Sequence, residues 1–498
     1  MSRNIYDIDP AGNVLCTYTG GESQDTTLRA SRTKNPRLQA LLHAFLPAGY
    51  PHSVTPDYLP YQTYDSLQAF FSSITSLLAN RAVLEGLGVG DSSSSPTGAL
   101  ILKIAGDTIS RIATILFAHR MGTAIEPECK FYRFLADLLN DSAQLLDLLT
   151  PALPYFPKLG VIVSAGVLRS LCGVAANASK ASLSAHFALR GNLAELNAKE
   201  ASQETVVSLL GILVGSLVVK VVQDRGVVWA LMVGLLGVHL LMNYWAVRAV
   251  RCRTLNRQRA TVVVRGWLEW GRVLGPEEVA RMESILQLPS LMGLLGMGWV
   301  FGGGTRGGRG GSGKGGFGFG KMTSKSGEYT GYCEFGTYGD VKALAAPAWK
   351  GGGYHRYEFE TDGYFMGICH RGGNFIMRIA LKEEHGKPMS DTSASASTAS
   401  ANSPLEAWFD AVSHAYHFDS ALKDGLESHY ENEVPLLGYT SEEQKGTVFA
   451  ALAAAGWDLE TNALETRSPV RVRVGDGRKV PIPSEKDILR QPQVSKKD

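Results

Sequence analysis

The chain has 498 residues, of which 45% are hydrophobic and 19% are charged, and its formal net charge is +2. This length accommodates two or three domains, and a charged share below the usual figure of about 25% favours a lipid environment or an unusually large core. The small net charge excludes a chain built as a whole for nucleic acid, so no nucleic-acid partner is expected. The six cysteines include no CxxC pair, which excludes a sequence-predicted zinc site or disulfide framework.

Residues 1–37 predict a short β-hairpin followed by a polar linker. Two strand-like stretches within residues 5–19 flank a Pro-Ala-Gly-Asn turn, which is typical of a hairpin. The first residues contain no apolar run of the kind that a cleavable secretory signal has. We therefore expect any membrane insertion to depend on internal segments.

Residues 38–290 predict a helical domain with about six candidate membrane spans. The clearest candidate, 226–247, has 22 positions with no formal charge apart from one histidine, which can be neutral, and as a helix it would extend about 33 Å, close to the hydrocarbon thickness. Its tryptophans and tyrosine lie toward the two ends, as interfacial anchors do. A second run, 205–219, reaches spanning length if Lys220 extends its ammonium group to the interface.

Four further segments carry charges and fit either a membrane span or a soluble amphipathic helix: 63–84, 99–118, 131–149 and 159–180. In 99–118 and around 131–149 the charges recur at steps of three and four, so each of these two sets lies on one helix face where opposite charges can pair. With six spans, basic residues concentrate in the loops on one side, as the positive-inside rule requires. The sequence predicts a multi-pass membrane protein with both termini in the cytoplasm. A soluble or peripheral helical bundle is the open alternative.

The C-terminal part predicts a smaller α+β domain at 321–475, after a Gly-rich linker at 291–320. A Ser/Ala-rich loop at 389–403 interrupts this domain, and the tail at 476–498 is predicted to be disordered. GRGGSGKG (308–315) has the spacing of a phosphate-binding loop, but a glycine replaces the required Ser or Thr and no helix can follow. One RGG-like copy in the same stretch is thin evidence for RNA binding.

Metal and enzyme sites find little support in the sequence. His414 and His417 are three residues apart and supply only two ligands, so no metal site is expected. The sequence has no nucleophile elbow and no distinctive acid pair, and we therefore expect a protein that is not an enzyme and has no cofactor.

Charged and polar residues within the predicted helices form the candidate substrate-binding site, because desolvated charges must pair or face an aqueous path. They are Asp107, Arg111, Arg133, Asp137, Asn140, Arg169, Lys180 and His186. Three interpretations remain open for this predicted interior polar network. The residues could be ion pairs that fix helix register, a polar route for a small anionic or zwitterionic metabolite, or solvated helix faces.

Four stretches carry a family resemblance: FLPAGYPHSVTPDYLPYQTYDSLQAFFSSI (45–74), RAVLEGLGVGD (81–91), RSLCGVAANASKASLSAHFALRGNLAELNAKEASQETVVSLLG (169–211) and HLLMNYWAVRAVRCRTLNRQRA (239–260). Over residues 40–285 the chain resembles the root UVB sensitive family, also called the vitamin B-6 photoprotection and homoeostasis family. The resemblance implies a membrane protein of cellular homoeostasis with no established reaction, and hence no catalytic residue to transfer. A plastid location, which some members have, is not transferred, because the N-terminus lacks a useful transit segment.

The helical region also resembles one half of a major facilitator transporter at the level of fold. SPTGALILKIAGDTISRIATILFAHRMG (95–122) places Gly106, Asp107 and Arg111 before a basic loop, as that superfamily does. The expected fold is therefore mainly α, a six-helix membrane bundle followed by the α+β domain. The expected function is that of a carrier or scaffold in the lipid bilayer, with a protein partner on the C-terminal domain. The alternative is a soluble or peripheral protein that binds a partner or pyridoxal phosphate.

Overall fold

The computed structural model describes residues 3–8, 14–20, 27–30, 45–87, 96–286, 321–323, 329–345, 354–371, 374–382, 403–423, 442–466 and 471–472. The chain divides into two compact units. Met1–Phe319 and Thr440–Ser468 form the first unit, and Gly320–Tyr439 and Pro469–Asp498 form the second. The described residues are mainly helical and include small sheets, so the predicted fold class is confirmed at this level.

The helices are numbered in chain order. They are α1 (Tyr58–Gly86), α2 (Pro96–Ile125), α3 (Cys129–Leu149), α4 (Tyr155–Phe187), α5 (Leu193–Val221), α6 (Arg225–Ala249), α7 (Arg257–Trp270), α8 (Pro276–Met282), α9 (Tyr338–Ala345), α10 (Ser403–Lys423) and α11 (Glu442–Ala454). The strands are β1 (Arg3–Ile8), β2 (Val14–Gly20), β3 (Thr27–Ala30), β4 (Lys321–Thr323), β5 (Tyr329–Phe335), β6 (Tyr354–Glu360), β7 (Tyr364–Arg371) and β8 (Asn374–Leu381).

Helix α3 lies at the centre of the first unit, where it packs against α1, α4 and α6. Its apolar residues recur at helical spacing and form a core with α2 and α4. Tyr132, Leu135 and Ala136 are almost fully buried in that core, beside Phe117 and Met121 of α2. The most enclosed helix of this unit is therefore also one of its most charged, and its charged side chains must find partners inside the protein.

Helices α1 and α5 approach each other closely because α5 places two glycines four residues apart. A Cβ on Gly211 would come within 2.7 Å of the Phe70 carbonyl oxygen, and one on Gly215 within 2.7 Å of Leu77 Cδ1. Small residues at this spacing allow close helix pairs in membranes. At the end of α5, Arg81 of α1 donates from Nη1 to the Val219 and Val222 carbonyl oxygens at 3.1 and 3.0 Å.

Three helices are long and apolar enough to cross a membrane: Phe156–Phe187, Leu193–Val221 and Arg225–Ala249. They contain the two clearest predicted spans, 226–247 and 205–219, and the charged candidate 159–180. The candidates 63–84, 99–118 and 131–149 form α1, α2 and α3. Within the described residues, these three helices are not both long enough and apolar enough to cross a membrane. The difference follows from the charged and uncharged polar side chains that they carry.

The first unit is discontinuous along the chain, because the segment 440–468 returns to it. Trp457 donates from Nε1 to the Leu274 carbonyl oxygen at 2.8 Å, and the Asp458 amide donates to the Arg253 carbonyl oxygen at 3.0 Å. Arg257 donates from Nε to the Leu464 carbonyl oxygen at 2.7 Å. The sequence predicts that residues 440–468 belong to the C-terminal domain at 321–475. Long-range packing places them in the helical unit instead.

A sheet is present in each unit. The strands β1, β2 and β3 form an antiparallel sheet in the order β1-β2-β3, and β3 lies in the region predicted to be a linker. The second unit contains a five-stranded sheet in the order β4-β5-β8-β7-β6, in which only the β5–β8 pair is parallel among the described strands. Helix α9 packs on this sheet, with Val341 buried against Phe365 and Ala380.

Several predictions fall outside the described residues. These are the Gly-rich linker at 291–320 with its GRGGSGKG stretch, nearly all of the Ser/Ala-rich loop at 389–403, and the tail at 476–498.

Candidate functional site

Helix α3 carries a stripe of polar side chains that the fold buries. Its members are Arg133, Asp137, Asp141, Gln144 and Asp147, each no more than 9% exposed. Steps of three and four residues place these side chains on one side of the helix. Because charged groups without water need hydrogen-bond partners, the neighbouring helices must supply them.

Arg133 is the centre of this network. It donates from Nη2 to Asp65 Oδ1 at 2.6 Å and from Nη1 to Asp137 Oδ1 at 3.2 Å, and its Nε lies 3.4 Å from the Tyr61 hydroxyl. Tyr61 and Asp65 lie one turn apart on α1, which aims both side chains at the same guanidinium. One positive and two negative groups sum to −1 when all three are ionised.

Two amides surround the second carboxylate. Gln68 of α1 and Asn243 of α6 both donate to Asp137 Oδ2. Their own carbonyl oxygens, and Asp141 Oδ1, are buried acceptors without a hydrogen-bond partner among the described residues. The network therefore has spare acceptors and an excess of negative charge, so it can receive a proton or a cationic donor.

Helices α3 and α6 are joined by two polar contacts one turn apart. Besides Asn243 and Asp137, His239 Nδ1 lies 2.9 Å from Asp141 Oδ2, and both side chains are almost fully buried. Farther along α3, Asp147 pairs with Arg169 of α4, whose side chain is 40% exposed. The polar stripe thus runs from the centre of the unit to its surface.

A groove of about 280 Å³ lies between α1 and α5. Its polar lining consists of Ser72, Ser73, Ser76, Asn80, Glu204 and Ser208. Ser76 also accepts a hydrogen bond from Gln144 Nε2 at 3.3 Å, which connects the groove to the buried network. Lys180 of α4 lies 2.9 Å from Glu204, so one cation and one anion meet at the edge of the groove. Such a pair can bind the two charges of a zwitterion.

The predicted site residues separate into groups. Arg133 and Asp137 lie in the network, Arg169 lies at its outer end, and Asn140 is half-buried on α3. Lys180 lies at the groove.

His186 lies elsewhere in the first unit, with Nε2 at 2.9 Å from Asp57 Oδ2. Burial alone would raise the pKa of Asp57, but hydrogen bonds and the charge of His186 hold this pKa at about 2. The Arg251 amide donates to the same carboxylate oxygen at 2.6 Å. This arrangement ties the start of α1 to the loop that follows α6.

Asp107 and Arg111 are not in the interior network. Both side chains lie on the exposed side of α2, which corrects the predicted interior position. Their spacing did place them on one face together, but spacing cannot tell which face of a helix the rest of the protein covers.

Several network residues were missed by the sequence analysis: Tyr61, Asp65, Gln68, His239, Asn243 and Glu204. A signal was available for two of them, since His239 is the one side chain of the clearest apolar run that can be charged near neutral pH, and Asn243 lies one turn from it. Polar side chains at helical spacing inside an apolar helix indicate an interior position. No comparable signal identified which helix would supply their partners.

A second buried cluster lies where α3 begins. Glu283 accepts from Lys130 Nζ at 2.6 Å and from Arg259 Nε at 2.9 Å. Burial opposes ionisation of Glu283, but these two cations hold its pKa at about 2. Glu128 accepts from Asn256 Nδ2 at 2.9 Å, and burial raises its pKa to about 7. No group of three His, Cys, Asp or Glu side chains that could hold a metal occurs in the part of the chain that the structure describes.

The helices that carry the network and the groove lie within one conserved domain type. Residues 31–271 match the family model described as the vitamin B6 photo-protection and homoeostasis domain. This chain is similar to RUS family member 1 of Dictyostelium discoideum, with 39% identity over 250 residues, covering 49% of this chain and 47% of the relative. It is 36% identical to Protein root UVB sensitive 3 of Arabidopsis thaliana over 274 residues, covering 55% of this chain and 62% of that protein.

Residues 31–271 belong to the root UVB sensitive family. The root UVB sensitive domain includes α1 to α7 and therefore the whole network and groove. A further relative, Protein root UVB sensitive 2, chloroplastic, of Arabidopsis thaliana, is 28% identical and covers 50% of this chain and 57% of its own length. The chain spans about half to three fifths of the relatives that it matches. No solved structure matches it, so the likeness to half of a major facilitator transporter stays a prediction.

Proposed function

We propose that this chain is a non-enzymatic membrane protein of cellular homoeostasis that binds and carries a small zwitterionic metabolite. The observation that carries the proposal is the connection between the groove and the buried network through Ser76 and Gln144. In this proposal the Lys180–Glu204 pair receives the solute at the groove. The interior charges around Arg133 then offer a polar path past apolar helices.

The proposed environment is a lipid bilayer. Helices α4, α5 and α6 have the length and hydropathy of membrane spans, and α5 exposes large aliphatic side chains such as Leu209, Leu213 and Leu217. We propose that α1, α2 and α3 enter the bilayer with them and that both termini lie in the cytoplasm. Ionisable groups inside a membrane protein are costly unless they serve a path or pair with each other, and the network around Arg133 meets that requirement.

The proposed solute class is a vitamin B-6 vitamer or an amino acid. The domain description names vitamin B6 homoeostasis, and vitamers are small polar molecules that offer hydroxyl groups and a charge. The serine hydroxyls of the groove can both donate and accept hydrogen bonds with such groups. The volume of about 280 Å³ is close to the lower end for small-molecule pockets, which suits a compact ligand.

The test is uptake of labelled vitamers and amino acids by vesicles that contain the purified full-length chain. We expect uptake with the unchanged protein and a loss of about ten-fold or more with Glu204→Gln, since one charged contact to the solute disappears. The matched control is Glu277→Gln, which removes the acid of the exposed Arg281–Glu277 pair on α8. Absence of flux with every solute, or equal loss in both variants, would reject the carrier. Release of the chain by carbonate extraction would reject the membrane setting.

A further inference from the structure

Helix α2 packs against α4 and leaves its other side open. Phe117 and Met121 are buried on the packed side. The opposite side exposes large aliphatic side chains, with Ile115 and Leu116 at 68% and 63% exposure. The full set is Ile104, Ile109, Ile112, Ile115 and Leu116, which we call the α2 face. Within the described residues no element covers this face.

Two opposite charges lie within the same exposed side. Asp107 and Arg111 are one helical turn apart, and neither forms an ion pair or hydrogen bond through its side chain with any other described residue. The neighbouring Thr108 instead donates to the Ile104 carbonyl oxygen at 2.8 Å. Both charges are therefore without a partner among the described residues.

Neither lipid nor water suits this surface by itself. In lipid, an unpaired Asp107 and Arg111 would be costly, because acyl chains cannot solvate a charge. In water, five large aliphatic side chains on one helix form an apolar patch of the kind that marks an interaction site. A complementary partner would be apolar and would also present one acid and one base, spaced one helical turn apart like Asp107 and Arg111.

We propose that this partner is a second copy of the same chain. Two α2 helices that cross antiparallel about a two-fold axis near residue 109 place Asp107 of each copy opposite Arg111 of the other. The two residues are equally far from that axis, at about 3 Å along the helix. A two-fold interface is self-complementary, and an acid and a base on either side of the axis satisfy this requirement twice. Ile104 and Ile115 of the α2 face lie beside the two charges on the helix surface and then cover the two ion pairs.

This inference does not rest on the proposed carrier function, since the same argument applies in a bilayer and in water. The competing occupant is another segment of the same chain, which would leave the protein monomeric. Measurement of the oligomeric state separates the two directly.

The first experiment measures the mass of the purified full-length chain in detergent or buffer by light scattering. We expect a dimer for the unchanged protein and for the control variants Arg281→Asp and Glu277→Arg, each of which reverses one charge of an exposed ion pair on α8. Asp107→Arg and Arg111→Asp each place like charges across the axis. Each should weaken the dimer at least about ten-fold in dissociation constant.

Mixing the two variants supplies the decisive result. A doubly basic face then meets a doubly acidic one, so the Asp107→Arg and Arg111→Asp chains should form a one-to-one dimer with each other. Misfolding of either variant would not produce this rescue. A monomer for the unchanged protein, or a dimer that both single variants retain, overturns the proposal.

Chemical cross-linking tests the geometry. Thr108→Cys places a thiol beside the axis, whereas Leu209→Cys places one on the exposed side of α5. A short thiol-reactive cross-linker should yield a covalent dimer with Thr108→Cys beyond the level of the unchanged protein and of Leu209→Cys. Cross-linking through Leu209→Cys alone would place the contact on another helix and overturn the α2 interface.

Discussion

Arg133 of α3 and Asp65 of α1 form a buried ion pair at 2.6 Å, and this contact fixes the two central helices against each other. The Arg133 guanidinium also pairs with Asp137, so loss of the guanidinium would leave two buried carboxylates without a cation. We expect Arg133→Leu to destabilise the protein by about 3–5 kcal/mol, the usual cost of breaking a buried pair. The measurement is denaturation of the purified chain.

The control for that measurement is Arg281→Leu, which removes the basic member of the exposed Arg281–Glu277 pair on α8. It should cost less than about 1 kcal/mol. Equal stability of Arg133→Leu and the control would show that the buried pair does not hold the helices together.

The close approach of α1 and α5 predicts a size limit at Gly211. A Cβ at this position would lie 2.7 Å from the Phe70 carbonyl oxygen, so Gly211→Ala must displace one helix and should cost about 1–3 kcal/mol. Gly234→Ala on α6 is the matched control, because no atom lies within 4 Å of its added Cβ. It should stabilise the helix by up to about 1 kcal/mol. Thermal denaturation of both variants gives the comparison, and two effects of the same sign would contradict the predicted contact.

Burial of Glu128 predicts a stability that falls with rising pH. Its pKa is raised from 4.5 to about 7 in the folded protein, mainly by burial. Between these values the folded protein binds more protons than the unfolded chain, so stability decreases as pH rises from about 4.5 to 7. Glu128→Gln removes this loss and should be more stable than the unchanged protein at pH 8, by up to about 3 kcal/mol, with little difference near pH 4.5.

Glu283 gives the opposite dependence and a contrast within the same cluster. Burial opposes its ionisation, but Arg259 and Lys130 hold its pKa at about 2, below its ordinary 4.5. Its stabilising contribution is present above pH 4.5 and is lost as pH falls toward 2. Urea denaturation across this range should show less acid sensitivity in Glu283→Gln than in the unchanged protein. If Glu283→Gln loses as much stability at low pH as the unchanged protein, other carboxylates cause that loss.

The returning segment predicts a large effect from a residue that lies far along the chain from the root UVB sensitive domain. Trp457 is 5% exposed and donates to the Leu274 carbonyl oxygen. Trp457→Ala should therefore destabilise the first unit by about 3–5 kcal/mol. Trp270→Ala is the control, since this side chain is 53% exposed and should cost far less. Hydrogen exchange at α7 and α8 would locate the effect, and equal exchange in the two variants would disprove it.

Part of this structure could be predicted because local patterns determine it. The uninterrupted apolar runs at 226–247 and 205–219 identified α6 and α5, and the four-residue spacing of Arg133 and Asp137 identified a polar helix face. The partners of that face could not be predicted. Gln68 and Asn243 are 69 and 106 residues from Asp137 in the chain, and only helix packing brings them to one carboxylate.

The error at Asp107 and Arg111 has the same origin. Helical spacing shows that two residues share a face, but the covering of that face depends on which helix lies beside it. The packing of residues 440–468 against the first unit could not be predicted either, since no local pattern links Trp457 to Leu274.

The discontinuity of the first unit also orders events during synthesis. A ribosome releases α1 to α8 long before it reaches residues 440–468, and the Gly320–Tyr439 part of the second unit emerges between them. The N-terminal part must therefore wait, with the docking surface for Trp457 uncovered, until residues 440–468 have been synthesised. Translation that stops before this point would leave a nascent chain with an incomplete core, a species prone to aggregation and a natural client for chaperones.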